Sequence, residues 1–120
     1  MPVRSLTSSV LKWPDAQAVV EALRRWAGRI ARERPEVARI GYFGSYARGD
    51  WSVGSDLDLV IVVDESDRPF MMRAVGWDTS ALPVPTDLLV YTESEWVKMG
   101  ERRPKGVRWV YRRSATDENR

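Results

Sequence analysis

Residues 41–63 read GYFGSYARGDWSVGSDLDLVIVV, and this stretch decides both the fold class and the chemistry. Its last part, Leu57–Val63, is apolar apart from Asp58 and rich in β-branched residues, the composition of a strand buried on both faces. Asp56 and Asp58 stand two residues apart at its start, so the period-two pleat turns both carboxylates to one face and Leu57 and Leu59 to the other. Upstream, Val37–Phe43 (VARIGYF) reads as another short strand, which breaks at Gly44-Ser45 and begins a turn into YARG. Gly44 lets the backbone approach a phosphate closely, and the Ser45 hydroxyl and the following N–H groups can donate to it. Arg48 can contact phosphate or pair with Asp50.

Outward from this stretch, the spacing predicts a helix over about 15–34. Val19, Val20, Leu23, Trp26, Ala27, Ile30 and Ala31 recur at three- and four-residue intervals, with Asp15 as cap and Pro35 as stop. Arg24, Arg25, Arg29 and Arg32 take the opposite side, first of all as a solvated face. Phe70 to Trp77 reads as helical, interrupted by Gly76. Pro83 and Pro85 deny the chain helix geometry, and Thr86 to Tyr91 (TDLLVY) reads as a strand opened by Asp87. Thr92 can cap a last short helix, with Glu95 as its reciprocal partner and Gly100 as its end. Val107 to Tyr111 adds an edge strand, and residues 114–120 form a tail. The order α, β, β, α, β, α, β implies an α/β (α+β) fold, a mixed sheet with helices packed on it, in one domain over residues 1–120.

The chain has 120 residues, 19 Lys plus Arg against 17 Asp plus Glu, and neither His nor Cys. That excludes a Cys/His zinc site, a disulfide scaffold, a histidine base and a thiolate nucleophile. A formal charge of +2 does not announce a nucleic-acid binder. Nor do aromatic and basic residues interleave as a strand-binding platform would require. No apolar run approaches the length of a membrane span and MPVRSLTSSVLKWP lacks a signal-peptide core, so the expectation is a soluble, cytoplasmic protein without a membrane association.

If the strands beginning at residues 57 and 86 are neighbours in register, Asp87 joins Asp56 and Asp58. At about 4 Å and an effective dielectric near 20, two carboxylates repel by roughly 4 kcal/mol, which a divalent cation removes. An all-oxygen donor set favours Mg²⁺ or Mn²⁺ over zinc. Two such ions suit in-line displacement at phosphorus.

The pattern Gly-Ser, Arg-Gly, spacer, Ser-Asp-x-Asp-Leu resembles the signature of the DNA-polymerase-beta-type nucleotidyltransferase superfamily. It looks most like the minimal nucleotidyltransferase branch, including the MNT-type proteins paired with HEPN-type toxins. The signature covers about residues 41 to 63, and the strand carrying Asp87 extends the resemblance to about residue 91. The resemblance implies a polymerase-beta-like fold using ATP as nucleotide donor with Mg²⁺ or Mn²⁺. Gly44 and Ser45 would hold the triphosphate, with Arg48 and Ser55 in the same nucleotide-binding set. Asp56 and Asp58 would bind the metals, and Asp87 would be the third carboxylate, helping to activate the acceptor hydroxyl. It further implies transfer of AMP to a tyrosine of a partner, a HEPN-type toxin or another helical protein, in a homo- or hetero-oligomer. The alternatives are a non-catalytic antitoxin acting by occlusion and an enzyme modifying a small hydroxyl compound such as an antibiotic.

Several residues admit plainer readings. Ser55 reads as a loop hydrogen bonder rather than a nucleophile. Trp26 follows the helix's apolar period, and Tyr42 and Tyr46 read first as packing residues, with base stacking as the alternative. Trp51 covers either nucleotide or core, and Trp96 and Trp109 either pack or offer aromatic surface to a partner.

Overall fold

A computed structural model of the chain describes residues 14–113. The tail assigned to 114–120 and residues 1–13, read as lacking a signal-peptide core, lie outside the described residues. Helix α1 (Ala16–Glu33) starts where Asp15 accepts a hydrogen bond from the Ala18 N–H, 2.8 Å. Its apolar stripe is buried at Val19, Leu23, Trp26, Ala27 and Ile30, while Arg24, Arg25 and Arg32 are exposed as the periodicity requires. Full burial of an aliphatic side chain such as Leu23 contributes about 1.5–3 kcal/mol.

Strands β1 (Val37–Phe43), β2 (Leu57–Val63), β3 (Thr86–Thr92) and β4 (Arg108–Arg112) form one sheet in the order β3-β2-β1-β4. β1 runs antiparallel to β2 and β4, whereas β2 and β3 run parallel, so the sheet is mixed as expected. β1 and β2 keep the boundaries read from the sequence. β3 runs one residue further, and β4 is shifted by one residue and takes the edge.

Two elements differ from the sequence reading. Residues 45–48, expected as a turn, close into a single helical turn, α2 (Ser45–Arg48), because the Ala47 and Arg48 N–H groups both donate to Gly44 O and Gly49 in the left-handed region ends it. The helix expected over 70–77 is a short α-turn, α3 (Phe70–Arg73), followed by a 3-10 turn over Ala74–Gly76. There Trp77 turns extended and its N–H donates to Ala74 O. Helix α4 (Glu93–Met99) carries the anticipated capping box, with Glu95 N–H to Thr92 Oγ1 and Thr92 N–H to Glu95 Oε1.

The sheet is covered on both faces. Leu57, Leu59, Ile61 and Val63 of β2 meet α1 in the larger core, and Val60 and Val62 meet Trp96 of α4 in a smaller one flanked by Phe43, Tyr91, Val107 and Trp109. Trp96 is 5 % exposed and packs edge-on against Trp109, so it serves packing rather than an open aromatic surface. Gly41 makes this second layer possible: a Cβ there would stand 2.6 Å from Val107 and 2.7 Å from Trp109. Trp26 is core as expected, and its indole N–H donates to Asp78 O, 2.9 Å, fixing the segment before β3. No helix among the described residues is long and apolar enough to cross a membrane.

Candidate active site

Alternation along β2 places Asp58 on the same face as Val60 and Val62. Trp96 covers the far half of that face, and Asp58 occupies the near half. Asp58 pairs in register with Asp87 of β3 on one side and Phe43 of β1 on the other, so Asp87 lies on the same face in the adjacent strand. Asp56 precedes β2 by one residue and is exposed, as is Asp87.

Gly44 brings the turn against this strand. Its φ of 74° and ψ of −149° belong to a region that side chains other than glycine's rarely enter, and a Cβ built there would stand 2.2 Å from Asp58 Oδ2. Burial raises the pKa of Asp58 above the ordinary carboxylate value, and the negative charges of Asp87 and Asp56 raise it further, while Arg48 acts in the opposite sense. Thus the three carboxylates share one electrostatic neighbourhood. Even so, among the described residues no group of three acidic side chains is drawn together closely enough to hold a metal ion.

The surrounding loop is ordered by short-range bonds. Ser55 Oγ accepts from the Ser52 N–H and the Ser55 N–H donates to Ser52 O, both 2.9 Å, which is the loop role read for Ser55. Tyr46 is buried and stacks on Trp51 with 5.7 Å between ring centres, and its hydroxyl faces Ser55 O; Tyr42 is buried in the larger core. Both tyrosines therefore pack. Arg48 pairs with Asp50, Nε to Oδ2 3.1 Å, at an exposed position.

Beside Asp58 lies an open depression of about 540 Å³, within the size range of small-molecule sites. Gly44, Ser45 and Arg48 come from the turn, Ser55, Asp56 and Asp58 from the start of β2, and Pro104 and Lys105 from the loop before β4. Neither of the last two belongs to the motif; Lys105 stands out in the sequence only within the basic segment that also holds Arg102, Arg103, Arg108, Arg112 and Arg113, and the antiparallel pairing of β4 with β1 brings it here. Asp87 is not on this wall; it reaches the site through its register with Asp58. A different depression lies beyond the other ends of β2 and β3, lined among others by Asp64, Asp67, Arg73, Glu95 and Lys98. Two of its carboxylates are paired, Asp64 with Arg113 and Glu95 with Arg73.

The chain matches known proteins over this same region. A family model described as a nucleotidyltransferase domain fits residues 23–111. A Methanocaldococcus jannaschii protein, provisionally assigned as a protein adenylyltransferase, is 37% identical over 51 residues, 42% of this chain and 50% of that relative, so the match spans about half of that relative's length. Among solved structures, a Sulfolobus solfataricus protein provisionally assigned as a nucleotidyltransferase superposes with a TM-score of 0.64 at 21% identity, covering 82% of this chain and 84% of that one. A toxin–antitoxin crystallised with AMP-PNP gives a TM-score of 0.50 at 18% identity over 80% of this chain and 78% of that one. A mutant of the MntA–HpeT toxin–antitoxin gives 0.50 at 16% identity, with the same coverage. At these identities the structures speak to the fold alone. The family match covers most of the chain, from the middle of α1 to β4, and on that basis the chain belongs to the nucleotidyltransferase domain family.

Proposed function

We propose that this chain is a metal-dependent nucleotidyltransferase that moves AMP from ATP to a hydroxyl group of a partner protein, as an MNT-type antitoxin set against a HEPN-type toxin. The observation that carries the reading is the placement of Asp58 between the Gly44 turn and Asp87, with Asp56 two residues away, just ahead of the strand. Three features support it: an all-carboxylate donor set, a carboxyl whose charge is disfavoured by burial and by two like neighbours, and a glycine turn with no side chain in the way. Such a donor set fits Mg²⁺ or Mn²⁺, held by Asp56 and Asp58 with Asp87 beside them. When bound, the cation offsets the carboxylate repulsion and supplies Lewis acidity to the phosphate oxygens.

In this reading Gly44 and Ser45 seat the triphosphate, with Arg48 and Ser55 at its border. The acceptor oxygen forms a bond to the α-phosphorus while the bond from that phosphorus to the bridging oxygen breaks, releasing pyrophosphate. Asp87, exposed on the neighbouring strand, takes the hydroxyl proton. The openness of the depression supports an acceptor carried on another protein over a small molecule enclosed by one chain. The likeness to the toxin–antitoxin structures supports a toxin as that partner.

The test incubates the purified chain and its helical partner with labelled ATP and Mg²⁺ and locates the label by mass spectrometry. Wild type is expected to label a partner hydroxyl, and Asp58→Asn to label it at least about 100-fold more slowly while remaining folded. Undiminished transfer by Asp58→Asn overturns the proposal. A partner fully neutralised by Asp58→Asn without any label favours the occlusion reading instead.

A further inference from the structure

The depression beside Asp58 has one wall that the sequence motif does not supply. β4 runs antiparallel to β1 with Arg108 opposite Tyr42, so the residues before β4 emerge past the end of β1, where the Gly44 turn lies. Contacts on either side hold this loop. Arg103 Nε donates to Trp96 O, 2.6 Å, and Arg108 Nε donates to Ala47 O, 3.0 Å. Val107 and Trp109 lie directly over Gly41. Between these contacts, Pro104 restricts the backbone and Gly106 turns it at a φ of 68°. The loop therefore presents Lys105 to the same depression as Gly44, Ser45 and Asp58.

Two cations border this depression, Arg48 and Lys105. Arg48 is engaged with Asp50, whereas Lys105 is exposed and forms no ion pair among the described residues. A lysine on a flexible stem presents a compact charge with three rotatable donors, suited to phosphate oxygens whose positions change as a bond breaks. We propose that Lys105 contacts the terminal phosphates of a bound nucleoside triphosphate and then the pyrophosphate derived from them. This rests on the nucleotidyltransferase reading above, and it adds a phosphate contact that the Gly44-Ser45 turn alone does not provide.

The test is calorimetric titration of the full chain with ATP, AMP and inorganic pyrophosphate, each with Mg²⁺, for wild type, Lys105→Met, Lys105→Arg and Asp58→Asn. Lys105→Met is expected to weaken ATP and pyrophosphate about tenfold, the range of one charge-assisted contact, and to leave AMP within about twofold. Lys105→Arg should recover most of the loss. Equal weakening of all three ligands, or none, overturns the assignment. If Asp58→Asn loses ATP while Lys105→Met binds as wild type does, only the role of Lys105 falls. If wild type binds none of the three, the inference falls together with the reading beneath it.

Discussion

The carboxylate of Asp58 lies against the α-carbon of Gly44 so closely that a single methyl group on Gly44 would come within 2.2 Å of Asp58 Oδ2. Gly44 follows directly after β1 and Asp58 is the second residue of β2, and the pairing of Phe43 with Asp58 fixes their approach. The turn and the acidic strand are thus one unit mechanically as well as chemically.

Gly44→Ala should therefore cost more than backbone strain. Gly49 also has a positive φ, 89°, but a Cβ there meets nothing within 4 Å. Urea unfolding is expected to show Gly49→Ala destabilised by about 1 kcal/mol and Gly44→Ala by about 2–3 kcal/mol, the excess coming from the displaced carboxylate. Equal losses would show that the contact carries no weight.

Asp58→Asn should melt higher than wild type at neutral pH when both are in EDTA. The folded-state pKa of Asp58 is raised above 3.8, so the folded state binds the proton more tightly than the unfolded chain, and stability falls as pH rises through that interval. The amide removes this penalty. The melting curves should converge as pH falls below 3.8 and separate above the folded value; a variant less stable at every pH contradicts the repulsion described here.

Glu95 behaves in the opposite sense. Its hydrogen bonds from Arg73, chiefly, and from the Thr92 cap lower its pKa from 4.5 to about 2. The associated stability is full above 4.5 and is lost as pH falls toward 2. Because the carboxylate side chain is 38% exposed, solvent screens the pair, and Glu95→Gln is expected to cost about 1–2 kcal/mol at neutral pH, less than breaking a fully buried pair. Unfolding measured at pH values above and below 4.5 checks both size and direction; the difference between wild type and variant should shrink in acid.

Ligand binding gives a further measurement. Under the proposed function, Mg²⁺ with ATP at about a hundred times its dissociation constant should stabilise wild type by about 2.7 kcal/mol, visible as a higher Tm. Asp58→Asn should show little of this gain. A wild-type Tm unmoved by Mg²⁺ and ATP across a wide concentration range would remove the nucleotide from the account.

Much of this architecture was legible in the sequence because several signals were local. The stripe from Val19 to Ile30 gave α1, the run Leu57–Val63 gave a strand buried on both faces, and Thr92 with Glu95 gave a cap. The single turn at Ser45–Arg48 was hidden because four residues are too few to show a period, and its end depends on the left-handed backbone at Gly49. Trp96 and Trp109 were ambiguous because their cover is the sheet face of Val60 and Val62, distant along the chain, with room left for them at Gly41. Within the site, the Asp56 and Asp58 spacing was visible, whereas the pairing of Asp58 with Asp87 was conditional on strand order. Lys105 was legible only as one member of a basic segment, with Arg102, Arg103, Arg108, Arg112 and Arg113, able to meet nucleic acid, nucleotide phosphates or an acidic partner; which member faces the site follows from the docking of β4 on β1.

The double-sided burial of β2 also sets how this protein can and cannot change by insertion or deletion. Odd residues from Leu57 to Val63 serve one core and even ones the other, with Asp58 in phase with Val60 and Val62. One residue added within the strand would reverse that phase beyond the added position, sending an acidic group or a row of aliphatic ones to the wrong side. Lengthening should thus be tolerated in the connection between α2 and Asp56 and refused inside β2.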